Sequence, residues 1–141
     1  MACRVRVRLS RGSRSLETSA LVNTGFESDE PDVVIPVEVA RLLGLWPPPS
    51  DVELVELGTG GGDLAAPYYR AAARLELLAE GVSKGLEVNI IVDPYVDEVL
   101  LSDLVAGELG IVLLDVKRGV WKLREDPASV ERRSAEKETW R

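Results

Sequence analysis

The chain has 141 residues, with 17 basic and 24 acidic side chains, a net charge of −7 and no histidine. This length fits one domain with a hydrophobic core of its own, and the acidic balance disfavours non-specific binding to nucleic acid. The absence of histidine excludes Ser-His-Asp catalysis, Cys-His catalysis and imidazole-based zinc sites within the chain.

The first half of the chain is predicted to form strands and one short helix. Residues 4–9 alternate arginine with apolar residues, which is typical of a half-buried strand with Val5, Val7 and Leu9 on one face. Three further segments have strand-like patterns: residues 16–22, 33–35 and 52–57. Between the last two, Pro36 suits the first turn of a helix, and Gly44 is a plausible residue to end it.

The second half of the chain continues the same alternation. Residues 64–78 are ambiguous, because Tyr68-Tyr69 favours a strand and the following alanines favour a helix, but the alternation favours a strand. Ser102 is a good N-cap for a second short helix, which Gly110 closes. The other strands are predicted at residues 86–92, 99–101, 111–114 and 120–123. Together these elements predict a mainly β domain, residues 1–124, with two short helices.

The last segment and the N-terminus bear on mobility and location. Residues 125–141 have few apolar residues and mixed charge, which predicts a flexible, charged C-terminal tail. Cys3 is the single cysteine, so an intrachain disulfide is excluded and a reducing compartment is favoured. The sequence lacks an apolar run of the ~20 residues that a membrane helix needs, and residues 1–8 lack an apolar signal core. We therefore predict a cytoplasmic protein with no membrane or nucleic-acid partner, no cofactor and no metal.

Three segments resemble the single-domain aspartic peptidases of the retroviral (retropepsin) type, and they occur in the same chain order as in that family. Residues 20–25, Ala-Leu-Val-Asn-Thr-Gly, are similar to the apolar-apolar-Asp-Thr-Gly active-site turn of that family. Residues 99–111 are similar to its apolar strand followed by Gly-x-Asp-x-Leu and a helix that ends in Leu-Gly. The segment between them has a glycine-rich hairpin tip similar to the flap that folds over substrate: Gly58, Thr59, Gly60, Gly61 and Gly62.

The resemblance covers roughly residues 4–123 and implies an acid-protease-like barrel. It also implies a homodimer in which Asn23, Thr24 and Gly25 lie at the two-fold axis and the flap residues cover a peptide or protein substrate. In the family the threonine hydroxyl crosses the dimer axis and locks the two turns together. A local hydrogen bond within its own turn is the alternative for Thr24.

Asn23 stands where the family has its catalytic aspartate, and Ser102 stands where it usually has glycine. An aspartic peptidase needs two facing carboxylates that share one proton, and a single-domain member supplies one from each subunit. An amide keeps the shape and hydrogen bonds of the aspartate but cannot titrate. Because acid–base catalysis is commonly worth ~10²–10⁴-fold, we predict a peptidase homologue that is catalytically impaired as written.

Three interpretations of Asn23 remain open. The protein is a non-enzymatic peptide-binding or dimerisation module, or it is a variant of an active parent, or another carboxylate is the catalyst. Candidates for the last follow the turn, where the pattern favours a solvated acidic loop: Glu27, Asp29, Glu30 and Asp32. The glycine-rich tip lacks the Gly-Lys-[Ser/Thr] ending of a phosphate-binding loop. The N-terminal arginines are interpreted as a solvated strand face.

Overall fold

A computed structural model describes residues 2–59 and 62–141, with the side chain of Thr59 excepted. Within these residues the chain forms ten strands and two helices. In chain order they are β1 (Arg4–Arg11), β2 (Arg14–Val22), β3 (Asp32–Ile35), α1 (Val37–Leu42), β4 (Glu53–Thr59), β5 (Gly62–Leu77), β6 (Lys84–Val92), β7 (Val99–Leu101), α2 (Asp103–Glu108), β8 (Ile111–Asp115), β9 (Val120–Leu123) and β10 (Arg132–Arg133). The prediction of a mainly β fold with two short helices is confirmed.

Six of the strands close into a barrel. Their order is β1-β2-β7-β3-β6-β5, and β5 pairs with β1 to complete the ring. The pairs β2–β7 and β3–β6 are parallel, whereas the other neighbours in the ring are antiparallel. β4 lies outside the ring and pairs with the first half of β5, so the two strands form an arm beside the barrel. β8, β9 and β10 form a separate three-stranded sheet.

β1 shows how the alternating pattern builds the barrel. Val5, Val7 and Leu9 are at most 1% exposed, as predicted from their period of two. The arginines that alternate with them point to the other face, where Arg4 pairs with Glu98 and Arg8 pairs with Glu17. The partly exposed Arg8 pair agrees with the interpretation of the arginines as a solvated strand face, whereas the Arg4 pair is largely buried.

β5 closes the barrel because it changes register in its middle. The pairing of β5 with β6 shifts between Tyr69 and Ala73, and Ala71 has a positive φ of 47°. Such an irregularity bends a strand and increases its twist. The first half of β5 therefore pairs with β4, and the second half reaches β1. The predicted strand at residues 64–78 is confirmed, whereas its bend was not predicted.

The helices begin and end close to the predicted residues. Pro36 is the N-cap of α1, one position before the first helical residue. In α2 the Ser102 hydroxyl oxygen accepts a hydrogen bond from the Val105 nitrogen at 3.4 Å, as expected for an N-cap. Gly110 follows α2 with a φ of 75°, which suits a glycine. Each helix has six residues, and no helix in the described part of the chain is long and apolar enough to cross a membrane.

The core has two parts. The larger cluster fills the barrel and extends to α1, α2 and the second sheet. The smaller one lies between the barrel and the β4–β5 arm, and its buried members are Val34, Ala66, Tyr68 and Ile91. Partly buried apolar side chains complete it at the mouth of the barrel: Phe26, Val55, Leu57, Val96 and Leu100. This second cluster forms the floor beneath the arm.

The C-terminal segment, for which the sequence predicts a flexible tail, contacts the rest of the domain. Its residues 132–133 form β10 against β9, and the Ala135 nitrogen donates to the Arg4 carbonyl at 2.8 Å. Further along, the Trp140 ring nitrogen donates to the Thr18 hydroxyl at 2.9 Å, and the Trp140 ring packs on the main core. The composition did not reveal this docking because the partners come from β1 and β2, more than a hundred residues away. The domain boundary at residue 124 stays a prediction.

Candidate functional site

The turn Asn23-Thr24-Gly25 lies where the parallel strands β2 and β7 end together. The Asn23 nitrogen donates to the Leu101 carbonyl at 3.2 Å, which ties the turn to β7. The Asn23 side-chain oxygen accepts from the Gly25 nitrogen at 3.1 Å, and the Asn23 carbonyl accepts from Phe26 at 3.0 Å. The asparagine thus closes its own turn, which is a common use of this side chain.

The start of α2 holds the segment that follows the turn. The Asp103 nitrogen donates to the Phe26 carbonyl at 2.9 Å. The Asp103 carboxylate accepts from the Ser28 nitrogen at 2.9 Å and from the Leu104 nitrogen at 2.8 Å. A carboxylate in the first turn of a helix is also favoured by the free N–H groups there. Asp103 therefore has a structural role, because it ties residues 26–28 to the start of α2.

Thr24 lies at the tip of the turn. Its side chain is exposed and makes no hydrogen bond to any residue in the described part of the chain. The local hydrogen bond considered for this hydroxyl is therefore absent there. The hydroxyl is free to bond a group from outside this chain.

A cleft of about 370 Å³ opens beside the turn, and we call it the Asn23 cleft. It brings Asn23 and Gly25 together with Gly58, which belongs to the predicted flap. The remaining residues that line it are Phe26, Glu27, Val34, Glu56, Leu57, Asp93 and Leu100. The turn, the arm and the smaller core cluster thus meet at one cavity.

The predicted flap is described only in part. Gly58 and Thr59 end β4, and Gly62 begins β5 with a φ of 126°. The pairings Gly58↔Asp63 and Thr59↔Gly62 make this segment the end of a hairpin, as predicted. Gly60 and Gly61 lie outside the described residues. The hairpin lies on the same side of the barrel as the turn, because Gly58 and Asn23 line one cleft.

Two other surface cavities are larger but lie away from the turn. One, of about 490 Å³, is formed by the β5–β6 connection, and the other, of about 660 Å³, lies between α1 and residues 94–98. Neither is lined by Asn23, Thr24 or Gly25. Size alone does not identify a site, and the Asn23 cleft combines apolar side chains with a backbone turn at the ends of two strands.

Contrary to the prediction from the pattern of the acidic segment, Asp32 does not lie in a solvated loop. It is only 8% exposed and begins β3. Its carboxylate accepts hydrogen bonds from the Ser28 hydroxyl at 2.6 Å, the Tyr68 hydroxyl at 2.7 Å and the Asn89 amide at 3.0 Å. A buried carboxylate is stable when several donors satisfy it. Asp32 is therefore a structural acceptor that fastens β3, β5 and β6 together.

A second set of contacts surrounds this buried carboxylate. The Asn89 side-chain oxygen accepts from the Ala71 nitrogen at 2.8 Å, which fixes the bend in β5. Arg70 forms an ion pair with Glu53 of β4 and lies over the Tyr68 ring at 4.9 Å from its centre. Burial of the Tyr68 hydroxyl, together with the Asp32 carboxylate, raises the pKa of this tyrosine well above its ordinary value. These contacts hold the arm at a defined position over the cleft.

The sequence contained only a weak signal for this network. Asp32 directly precedes the apolar run 33–35, and Asn89 interrupts the apolar strand 86–92. Polar residues inside buried strands need partners, but their spacing does not say which. Of the other predicted carboxylates, Glu27 lies in the Asn23 cleft, whereas Glu30 accepts from Asn89 at 2.9 Å.

The described residues contain no group of three acidic or cysteine side chains placed to hold a metal ion. Asn23 itself offers an amide, which accepts and donates hydrogen bonds but neither takes up nor releases a proton near neutral pH. The chemistry available at the turn is therefore hydrogen bonding to a ligand. Comparison of the sequence with known protein families and with curated proteins finds no match in either group.

Proposed function

We propose that the protein is a homologue of the retropepsin-like aspartic peptidases that binds peptides in the Asn23 cleft and is catalytically impaired because Asn23 replaces the aspartate. The observation that carries the proposal is the position of the turn. Asn23 and Gly25 directly follow a strand of a closed barrel and line a cleft with apolar and acidic walls beside the glycine-rich end of a hairpin. This is the arrangement that the resemblance implies for a peptidase site.

The composition of the cleft suits an extended peptide. Phe26, Val34, Leu57 and Leu100 provide apolar walls, on which side chains of a peptide bury area. Gly25 and Gly58 have no side chains, so a ligand backbone can approach the chain closely at both. The strand β4 borders the cleft, and strand edges bind extended peptides through main-chain hydrogen bonds.

The proposal includes a homodimer. One chain supplies one turn, whereas an acid–base pair across a two-fold axis needs two. The free Thr24 hydroxyl at the tip of the turn is available to a second copy. Two facing asparagines at that axis would provide two amides and no shared proton, which is the physical reason for the proposed impairment.

The second candidate is a non-enzymatic peptide-binding or dimerisation module. The state of Asp32 favours it over a peptidase with a different catalyst. Three donors already occupy the Asp32 carboxylate, so this group is not a free base. Under this proposal the cleft and the dimer are the function, and no catalysis is expected even with an aspartate at residue 23.

A cleavage assay separates the two candidates. Wild-type protein and the variants Asn23→Asp and Asn23→Ala are incubated with a mixed peptide library from mildly acidic to neutral pH. An impaired peptidase should gain activity by ~10²-fold or more in Asn23→Asp alone, with most activity on the acidic side where the pair holds one proton. Inactivity of all three, with peptide binding intact, supports the binding module. A protein that neither cleaves nor binds peptides contradicts both the peptidase and the peptide-binding module.

A further inference from the structure

The walls of the Asn23 cleft carry charge of one sign. Three of its lining residues are carboxylates, namely Glu27, Glu56 and Asp93, and none is a lysine or arginine. They stand beside the four apolar side chains of the same cavity. A cavity with apolar walls and uncompensated negative charge attracts ligands that combine apolar and cationic groups.

Asp93 is the most informative of the three. It is only 8% exposed, and its Oδ1 atom accepts a hydrogen bond from the Tyr95 nitrogen at 2.9 Å. In the described part of the chain, Oδ2 accepts no hydrogen bond and no cationic group lies within ion-pair distance. Every completely buried polar side-chain atom in the described residues has a hydrogen-bond partner. Because Oδ2 has none, it must retain some solvent-accessible surface. A nearly buried carboxylate oxygen without a donor is poised to take one from a ligand.

Glu27 and Glu56 contrast with acidic neighbours on the same segments. Glu30, three residues after Glu27, and Glu53, three residues before Glu56, both pair with Arg70 outside the cleft. Glu27 and Glu56 form no ion pair with the described residues. Arg70 thus neutralises Glu30 and Glu53 outside the cleft, whereas Glu27 and Glu56 remain to carry its negative charge.

We propose that the Asn23 cleft selects extended peptides in which a lysine or arginine lies next to an apolar residue. This inference rests on the proposed peptide-binding function. The apolar residue packs on the walls, and the neighbouring cation pairs with Asp93 and with Glu56 or Glu27. A long basic side chain suits this site because its methylene stem covers apolar surface while its end reaches the carboxylates. The net charge of −7 attracts basic peptides and repels acidic ones.

Fluorescence anisotropy with three labelled peptides of equal length tests the inference. They share one leucine and differ at the next position, which is lysine, glutamine or glutamate. Wild-type protein should bind the lysine peptide most tightly and the glutamate peptide least. Glu56→Gln should lower the affinity for the lysine peptide by about two- to fivefold, as expected for the loss of an exposed ion pair. Asp93→Asn keeps the hydrogen-bond acceptor for the Tyr95 nitrogen. It should lower the affinity for the lysine peptide by about tenfold or more, since the charge of Asp93 is nearly buried.

The control variant is Glu87→Gln, which removes the same charge from an exposed position of β6 outside the cleft. It should bind all three peptides as wild type does. If Asp93→Asn does not fold by circular dichroism, the double variant Glu27→Gln/Glu56→Gln provides the comparison. Equal binding of the three peptides, or equal effects of cleft and control variants, overturns the inference and leaves peptide binding standing. Failure to bind any peptide of a mixed library overturns the proposed function as well.

Discussion

The Asn23 side-chain oxygen accepts a hydrogen bond from the Gly25 nitrogen at 3.1 Å, and this contact closes the turn at the end of β2. A carboxylate offers the same acceptor, so Asn23→Asp should change the free energy of unfolding by less than ~0.5 kcal/mol. Asn23→Ala removes the acceptor and should lower it by ~1 kcal/mol. Urea unfolding at low protein concentration measures both. An Asn23→Ala protein as stable as wild type would show that the turn does not depend on this hydrogen bond.

The Tyr68 hydroxyl is one of three donors to the buried Asp32 carboxylate. Tyr68→Phe should therefore lower the free energy of unfolding by ~1–3 kcal/mol, since it leaves a buried charge with one donor fewer. The matched control is Tyr95→Phe, because Tyr95 is 82% exposed and should tolerate the change without loss. Thermal unfolding at neutral pH compares them. A Tyr68→Phe protein as stable as the control would mean that Ser28 and Asn89 suffice for Asp32.

Local patterns predicted much of the fold, because several elements depend on neighbouring residues alone. The alternation around Val7 determines which face of β1 is buried, and Ser102 caps α2 through an atom three residues away. Closure of the barrel depends instead on the bend at Ala71, whose nitrogen is held by Asn89, 18 residues further on. No local propensity encodes such a partner, so the bend and the docked C-terminal segment were not predictable.

The candidate site was predicted in the same uneven way. Asn23, Gly25 and Gly58 line one cleft, and their functional role there stays a prediction. Asp93 gave no functional signal in the sequence, where Asp-Pro-Tyr is typical of a turn, and its carboxylate indeed bonds the Tyr95 nitrogen. Only the folded chain brings it to the cleft beside Glu56, 37 positions earlier. Charge in a cleft is a property of tertiary structure.

Trp140 fastens the C-terminal segment to the barrel. Its ring nitrogen donates to Thr18 at 2.9 Å and its backbone nitrogen to the Asp97 carbonyl at 2.7 Å. Trp140→Ala should lower the free energy of unfolding by ~2 kcal/mol through lost packing and a lost hydrogen bond. It should also speed tryptic cleavage after Lys137. Arg141→Ala, which removes an exposed ion pair, is the control and should change neither measurement. Equally fast cleavage of wild type would support the flexible tail predicted from composition.

Asp126 should contribute to stability in a pH-dependent way. Hydrogen bonds from the Arg132 guanidinium and the Leu123 nitrogen lower its pKa from 3.8 to about 2. A folded-state pKa below the unfolded value stabilises the protein above the unfolded pKa, and the contribution is lost as pH falls towards the folded one. The melting temperature of wild type should therefore exceed that of Asp126→Asn at neutral pH. The difference should shrink between pH 3.8 and about 2.

The control is an exposed carboxylate that takes part in no ion pair within the described part of the chain. Glu87 serves, since it is exposed and forms no ion pair with the described residues. Glu87→Gln should change the melting temperature little at any pH. If the difference in melting temperature between wild type and Asp126→Asn stays constant down to about pH 2, the proposed role of the Arg132 contact is contradicted.

Thr24 should matter for assembly and not for the fold of one chain. Its hydroxyl is exposed and bonds no described residue of its own chain, so Thr24→Ala loses no contact within the monomer. If the hydroxyl crosses a two-fold axis, each dimer loses two hydrogen bonds, worth ~0.5–1.5 kcal/mol apiece. The dimer dissociation constant from analytical ultracentrifugation should then rise by about five- to a hundredfold. Thr24→Ser keeps the hydroxyl and should assemble as wild type does, so equal weakening in both variants would assign the effect to the lost methyl group. A wild-type chain that remains monomeric at high concentration would remove the two-fold site itself.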